Sequence, residues 1–160
     1  MTSAYGTWSG PAKALVVAVD AAVSAAQIGD ADAFDDALIA LYRVDREQLT
    51  VLLGAVTRDV LEQANPDGLD SDDAQRALDN CVRSAAGWYP AVDTAVVLLA
   101  LIGALGLTEP DEPPIVDQYA VLVHGLLLIA DLLASSGIVL RPLLEAALRE
   151  LLRAQTVELP

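Results

Sequence analysis

Apolar residues recur three and four positions apart along most of the chain, which is the spacing of one face of an α-helix. The pattern predicts about seven helices and no β-sheet, packed as a compact all-α bundle. Capping residues, glycines and prolines mark where the segments end. The expected helices span about 11–28, 32–43, 71–86, 91–105, 115–134 and 141–154, with a further one between the capping residue Asp45 and the turn at Asn65.

Two long stretches, 94–108 and 118–130, contain no charged residue. Each is shorter than the roughly 18 to 20 residues that a membrane-spanning helix needs, and the flanking charges are acidic instead of basic. We therefore interpret the helices at about 91–105 and 115–134 as the apolar central helices of the bundle, and we expect no membrane partner. The first ten residues lack the basic segment and apolar run of a signal peptide.

The length of 160 residues predicts one domain with a sizeable core. We expect an N-terminal tail over 1–10 and a single helical domain over 11–160. A weak subdivision near 87–90 stays open, because the first half is more polar than the second. The acidic, proline-rich stretch 109–114 cannot continue a helix, so the chain is expected to turn back there.

Nine basic against 23 acidic residues give a formal charge of −14, and no basic stripe is present. Nucleic-acid binding draws its affinity from Lys and Arg neutralising phosphates, so we expect no nucleic-acid partner. The same charge favours basic protein partners and opposes anionic lipid. The single cysteine, Cys81, allows no intrachain disulfide, which fits a cytoplasmic protein, and its apolar neighbours predict an inert thiol.

Three polar residues follow one another at intervals of seven on the otherwise apolar sixth helix: Asp117, His124 and Asp131. This spacing places them on one side, but roughly 10 Å apart along the axis, which is too far for hydrogen bonds among them. One interpretation makes His124 a general base in a ligand pocket with Leu127 and Leu128. The favoured interpretation is a narrow solvent-facing strip, or a core histidine satisfied by a neighbouring carbonyl.

The acidic turn after the third helix invites comparison with a calcium-binding EF-hand loop, because Asn65, Asp67 and Gly68 fall at suitable positions. The match fails at both ends, since Gln63 and Ala74 stand where acidic ligands belong. The following aspartates fit the N-terminus of the next helix better: Asp70, Asp72 and Asp73. The scattered glycines form no phosphate-binding loop. We therefore expect no metal and no cofactor.

Two aromatic clusters lie in segments predicted to be non-helical, one formed by Tyr5 and Trp8 and the other by Trp88 and Tyr89. Aromatic side chains with a polar tip often anchor protein interfaces. They also commonly cover the ends of a helical bundle. We treat these four residues as candidates for binding a protein partner.

The sequence shows no catalytic set, so the favoured function is a non-enzymatic cytoplasmic interaction module of the adaptor, immunity-type or regulatory kind, with a basic partner. One alternative is a small-ligand-binding protein or enzyme with a pocket near His124. Another is a self-assembling homo-oligomer, such as a homodimer, that pairs through the apolar face of the seventh helix.

Overall fold

A computed structural model describes residues 8–107 and 116–158 of the chain. Within these residues the protein is a bundle of seven α-helices without a β-strand, which confirms the all-α prediction. The expected tail over 1–10 and the acidic stretch 109–114 lie largely or wholly outside the described residues. The helices are α1 (Gly10–Ile28), α2 (Ala31–Leu41), α3 (Arg46–Ala64), α4 (Ser71–Ala86), α5 (Thr94–Ala104), α6 (Gln118–Ser136) and α7 (Leu140–Glu158).

Aspartates set where most of these helices begin. A carboxylate in the N-cap position accepts a backbone N–H from the first turn, which satisfies a donor that has no partner inside the helix. At α4 the bond is reciprocal, because the Asp73 carboxylate also accepts the backbone N–H of Asp70 at 3.2 Å. At α3 the Asp45 carboxylate accepts the backbone N–H of Gln48 at 2.9 Å, as its position in the sequence predicts. Of the helices described, five have such a cap: Asp30, Asp45, Asp70, Asp93 and Asp117.

Helix α6 forms the centre of the bundle. Nine consecutive residues, 122–130, are buried, so the helix is covered on every side over more than two turns. Helices α1, α3, α4 and α5 pack around it, α7 lies across α3 and α1, and α2 packs on α1. Most of the uncharged stretch 118–130, from residue 122 onward, is thus shielded by the chain's own helices, as the sequence predicts.

Helix α5 is equally apolar but lies at the side of α6. Its buried face points to α3, α4 and α6, whereas Ala95 and Gly103 are exposed and Leu98 is 40% exposed. The helix is also shorter than expected, because Asp93 caps it after a turn at 89–92. A uniformly apolar helix has no preferred buried face, so its neighbours decide which side meets solvent.

The apolar stripe of α7 is used inside the chain. Leu144 and Leu148 are at most 1% exposed, and the helix packs on α3 and α1. The face that the sequence offers for self-assembly is therefore already covered.

By length and composition alone, α1 and α6 are each able to span a membrane. Their mean hydropathies over 18 residues are 1.4 and 1.7, and 44% and 61% of those windows are buried in the protein. The core helix of a bundle meets the same criterion, so hydropathy does not distinguish the two situations.

The central position of α6 predicts a large difference between two leucine truncations. Leu128 is fully buried on α6, so Leu128→Ala should lower the free energy of unfolding by about 2–5 kcal/mol. Leu98→Ala on the exposed side of α5 should cost less than about 1 kcal/mol. Urea unfolding of both variants measures the difference, and equal losses would contradict the central placement of α6.

The pKa values of two aspartates, Asp20 and Asp73, are shifted in opposite directions by the fold. Burial raises the pKa of Asp20 above 3.8, against the lowering effect of the Arg141 charge. The backbone N–H of Asp70 lowers the pKa of Asp73, with Arg76 adding to this. The folded state therefore holds the Asp20 proton more tightly than the unfolded chain and the Asp73 proton less tightly.

We therefore expect opposite changes in the pH dependence of stability. The contribution of Asp20 falls as pH rises from 3.8 through its raised pKa, so Asp20→Asn should gain stability relative to the parent protein over that range. The contribution of Asp73 is present above 3.8 and is lost as pH falls through its lowered pKa, so Asp73→Asn should lose stability at neutral pH. Urea unfolding across the acid range measures both. Curves parallel to that of the parent protein would refute the assignment.

Candidate functional site

His124 is enclosed in the core of α6 with both ring nitrogens occupied. The side chain is 4% exposed. Its Nε2 accepts the backbone N–H of Asp93 at 3.0 Å, and Nδ1 lies 2.7 Å from the carbonyl oxygen of Ala120. Because the accepting Nε2 carries no proton, the ring is the neutral tautomer in which Nδ1–H donates to Ala120. The Tyr89 ring packs edge-on against the imidazole of His124, with the two ring centroids 6.2 Å apart.

The hydrogen bond from the Asp93 N–H to His124 Nε2 joins α6 to the start of α5. Asp93 is the N-cap of α5, and its carboxylate accepts the N–H of Ala95 at 2.9 Å while its own N–H reaches His124. At the other end of α5, the Arg58 guanidinium on α3 donates Nε–H to the Ala104 carbonyl at 3.1 Å. These two hydrogen bonds therefore hold both ends of α5. The apolar side chains of α5 do not by themselves select which face of the helix is buried.

The structure does not bring the three candidate pocket residues together. Asp117 is exposed and caps α6 by accepting the Tyr119 N–H at 3.0 Å. Asp131 is partly buried and accepts the Ser84 hydroxyl at 2.7 Å, from α4. Spacing along α6 predicts their shared side, but the partners come from helices that the spacing does not specify.

Asp131 instead lines a cleft of about 300 Å³ between the C-terminal end of α1, α4 and α6. We call it the Asp131 cleft. Leu127, which the sequence suggested for a pocket beside His124, also lies here, together with Trp88 and Cys81. Burial and the Asp131 charge raise the pKa of Cys81 to about 12, so its sulfur is a neutral thiol and not a nucleophilic thiolate near neutral pH.

The described aromatic residues singled out in the sequence pack against the core at separate places, Trp8 before the start of α1 and Trp88 beside its last turn. Trp88 and Tyr89 are half-buried and meet the fully buried Phe34 ring edge-on, with centroids 5.3 and 5.6 Å apart. Trp8 is also half-buried against the core, and among the described residues its Nε1 has no hydrogen-bond partner. Tyr5 lies outside the described residues. The three described candidates, Trp8, Trp88 and Tyr89, are each partly buried and do not form one exposed patch.

Gly29 lets the Trp88 ring approach the end of α1. Its φ of +71° lies in the left-handed region that favours glycine, and a Cβ there would meet the indole at 3.4 Å. Gly29, which ends α1 near the predicted position, thus also makes room for the Trp88 ring in one wall of the Asp131 cleft.

A second aromatic pair was missed by sequence reasoning. Tyr42, at the end of α2, meets Tyr119 on α6 with ring centroids 4.7 Å apart. The Arg46 guanidinium lies 5.8 Å from the centre of the Tyr119 ring, a cation–π distance. Both tyrosines fall inside predicted helices far apart in sequence, so no local pattern indicates their contact.

Within the described residues, no group of three or more His, Cys, Asp or Glu side chains is placed to hold a metal ion. No protein-family model, curated protein or solved structure matches this chain.

The geometry predicts that His124 contributes to stability. His124→Phe preserves a ring in the core but leaves the Asp93 N–H and the Ala120 carbonyl without the imidazole, so the free energy of unfolding should fall by about 1–3 kcal/mol. Urea unfolding gives the value. Hydrogen exchange should also show faster opening at the start of α5. A variant as stable as the parent protein would contradict the linking role.

Proposed function

We propose that this chain is a non-enzymatic protein-interaction module that binds a basic partner through the exposed face of α2. That face, which we call the α2 surface, points away from α1 and combines carboxylates with large apolar side chains. Its members are Asp32, Asp35, Asp36, Ile39 and Tyr42.

The carboxylates of the α2 surface are available to a partner. In the part of the chain that the structure describes, the ion pairs join Arg76 to Asp73, Arg141 to Glu145 and Arg153 to Glu150, none of which lies on α2. Clustered carboxylates without a fixed partner create a negative potential that steers and orients basic ligands.

The apolar part of the α2 surface supplies a contact area beside these charges. Ile39 is 53% exposed and Tyr42 is 52% exposed. The Tyr42 ring rests on Tyr119, so little side-chain freedom remains to be lost on binding. A held tyrosine next to an exposed isoleucine has the character of an interface anchor.

The aspartates and the apolar side chains of the α2 surface together define the chemistry of the partner. A basic amphipathic helix would place Lys or Arg against the aspartates and an apolar residue on Ile39 and Tyr42. Arg43 is the second residue after the end of α2, which favours a partner whose basic residues lie toward the N-terminal end of α2. The observation that carries the proposal is the adjacency of unpaired aspartates and exposed apolar side chains on one helix face.

The test uses a synthetic helical peptide of leucine and lysine patterned for one apolar face, with a scrambled peptide of equal composition as reference. Amide chemical shifts on ¹⁵N-labelled protein should change along α2, and the affinity should fall as salt is raised. The triple variant Asp32→Asn, Asp35→Asn, Asp36→Asn should bind at least about tenfold more weakly, since three charge pairs are lost.

A matched variant removes the same charge elsewhere. Asp67→Asn, Asp72→Asn, Asp79→Asn changes exposed carboxylates in and before α4, and its affinity should stay within about threefold of the parent protein. Shifts outside α2, or equal weakening by both triple variants, would refute α2 as the docking surface.

A further inference from the structure

We infer that the Asp131 cleft binds a primary ammonium group carried on a short alkyl chain. The cleft is separate from the α2 surface, and the inference does not depend on the proposed interaction function. Three features argue for this ligand chemistry: the charge of the cleft, the C-terminal end of α1 at its edge and its apolar walls.

The charge is that of a single carboxylate. Asp131 is the only charged side chain among the described residues that line the cleft. One of its oxygens accepts the Ser84 hydroxyl at 2.7 Å, which fixes the carboxylate, and an ionised carboxylate retains further acceptor positions. An ammonium group brings both the opposite charge and hydrogen-bond donors.

The C-terminal end of α1 lies at the same cleft. The N–H groups of Gly29 and Asp30 close onto the carbonyls of Ala26 and Ala25. Gln27 and Ile28, the last two residues of α1, line the cleft. The C-terminal end of a helix carries the negative end of its dipole, so it favours a cation.

The walls fit the alkyl part of the ligand. Trp88 stands at the cleft with its ring held by Phe34 and by the close approach of Gly29, and Leu127 with several alanines completes the apolar surface. An indole near a cation adds cation–π attraction. A volume of about 300 Å³ lies at the lower end for ligand sites, so it suits a small amine or a single lysine side chain.

Titration with n-butylammonium, followed by the Trp88 indole N–H resonance and by calorimetry, tests the inference. The resonance should shift saturably, and 1-pentanol, which is similar in size but neutral, should bind at least about tenfold more weakly. Asp131→Asn should weaken n-butylammonium binding at least about tenfold and leave 1-pentanol binding unchanged, because it retains the shape of the cleft and removes the charge. Asp79→Asn, the matched loss of charge on the exposed side of α4, should stay within about twofold of the parent protein.

A second variant fills the cleft without changing its charge. Ala134 is exposed on α6 and lines the cleft, so Ala134→Phe should abolish binding while far-ultraviolet circular dichroism and urea stability stay close to those of the parent protein.

A second probe, N-acetyl-lysine methylamide, distinguishes a free amine from a lysine side chain as the source of the ammonium group. Binding of n-butylammonium alone indicates a free amine, whereas binding of both, or of the lysine compound alone, indicates a lysine side chain of a partner.

The inference is overturned if ammonium and alcohol bind equally well, or if Asp131→Asn or Ala134→Phe binds as tightly as the parent protein. It is also overturned if neither ammonium compound gives a saturable shift up to about 10 mM. The α2 surface is unchanged in all of these variants, so either proposal can fail without the other.

Discussion

Complete burial of α6 is the constraint on which the rest of the structure depends. A helix with nine successive buried residues needs apolar neighbours on every side, and α1, α3, α4 and α5 provide them. Because those four helices turn their apolar faces inward, the acidic residues remain at the surface. The arrangement combines an apolar core with a formal charge of −14 in the same chain.

Acidic side chains have two separate roles in this bundle. Some begin helices, where their carboxylates accept backbone N–H groups, as Asp30, Asp45 and Asp93 do. Others, such as those on the exposed face of α2, have no ion-pair partner among the described residues and dominate the local potential. The second group is available to bind another molecule.

Polar contacts between helices give the apolar core its register. Leucine and alanine surfaces pack in many nearly equivalent ways, whereas a buried hydrogen bond has one geometry. His124 fixes the start of α5 and Arg58 fixes its end, while the bond from Ser84 to Asp131 joins α4 to α6. The single histidine of the chain thus has a structural role in the described protein that differs from that of a general base.

The sequence by itself determined the helices, most of their ends and the burial of 122–130, because periodicity, capping and hydropathy act within a few turns of the chain. Its spacing also predicts that Asp117, His124 and Asp131 lie on one side of the sixth helix, although Asp117 is the N-cap before α6. Only the tertiary structure decided that His124 meets the backbone of Asp93, that Asp131 faces a cleft with Trp88, and that one side of α5 meets solvent. Those outcomes depend on which helices become neighbours, and contacts between distant segments leave no mark in the local pattern from which the helices are recognised.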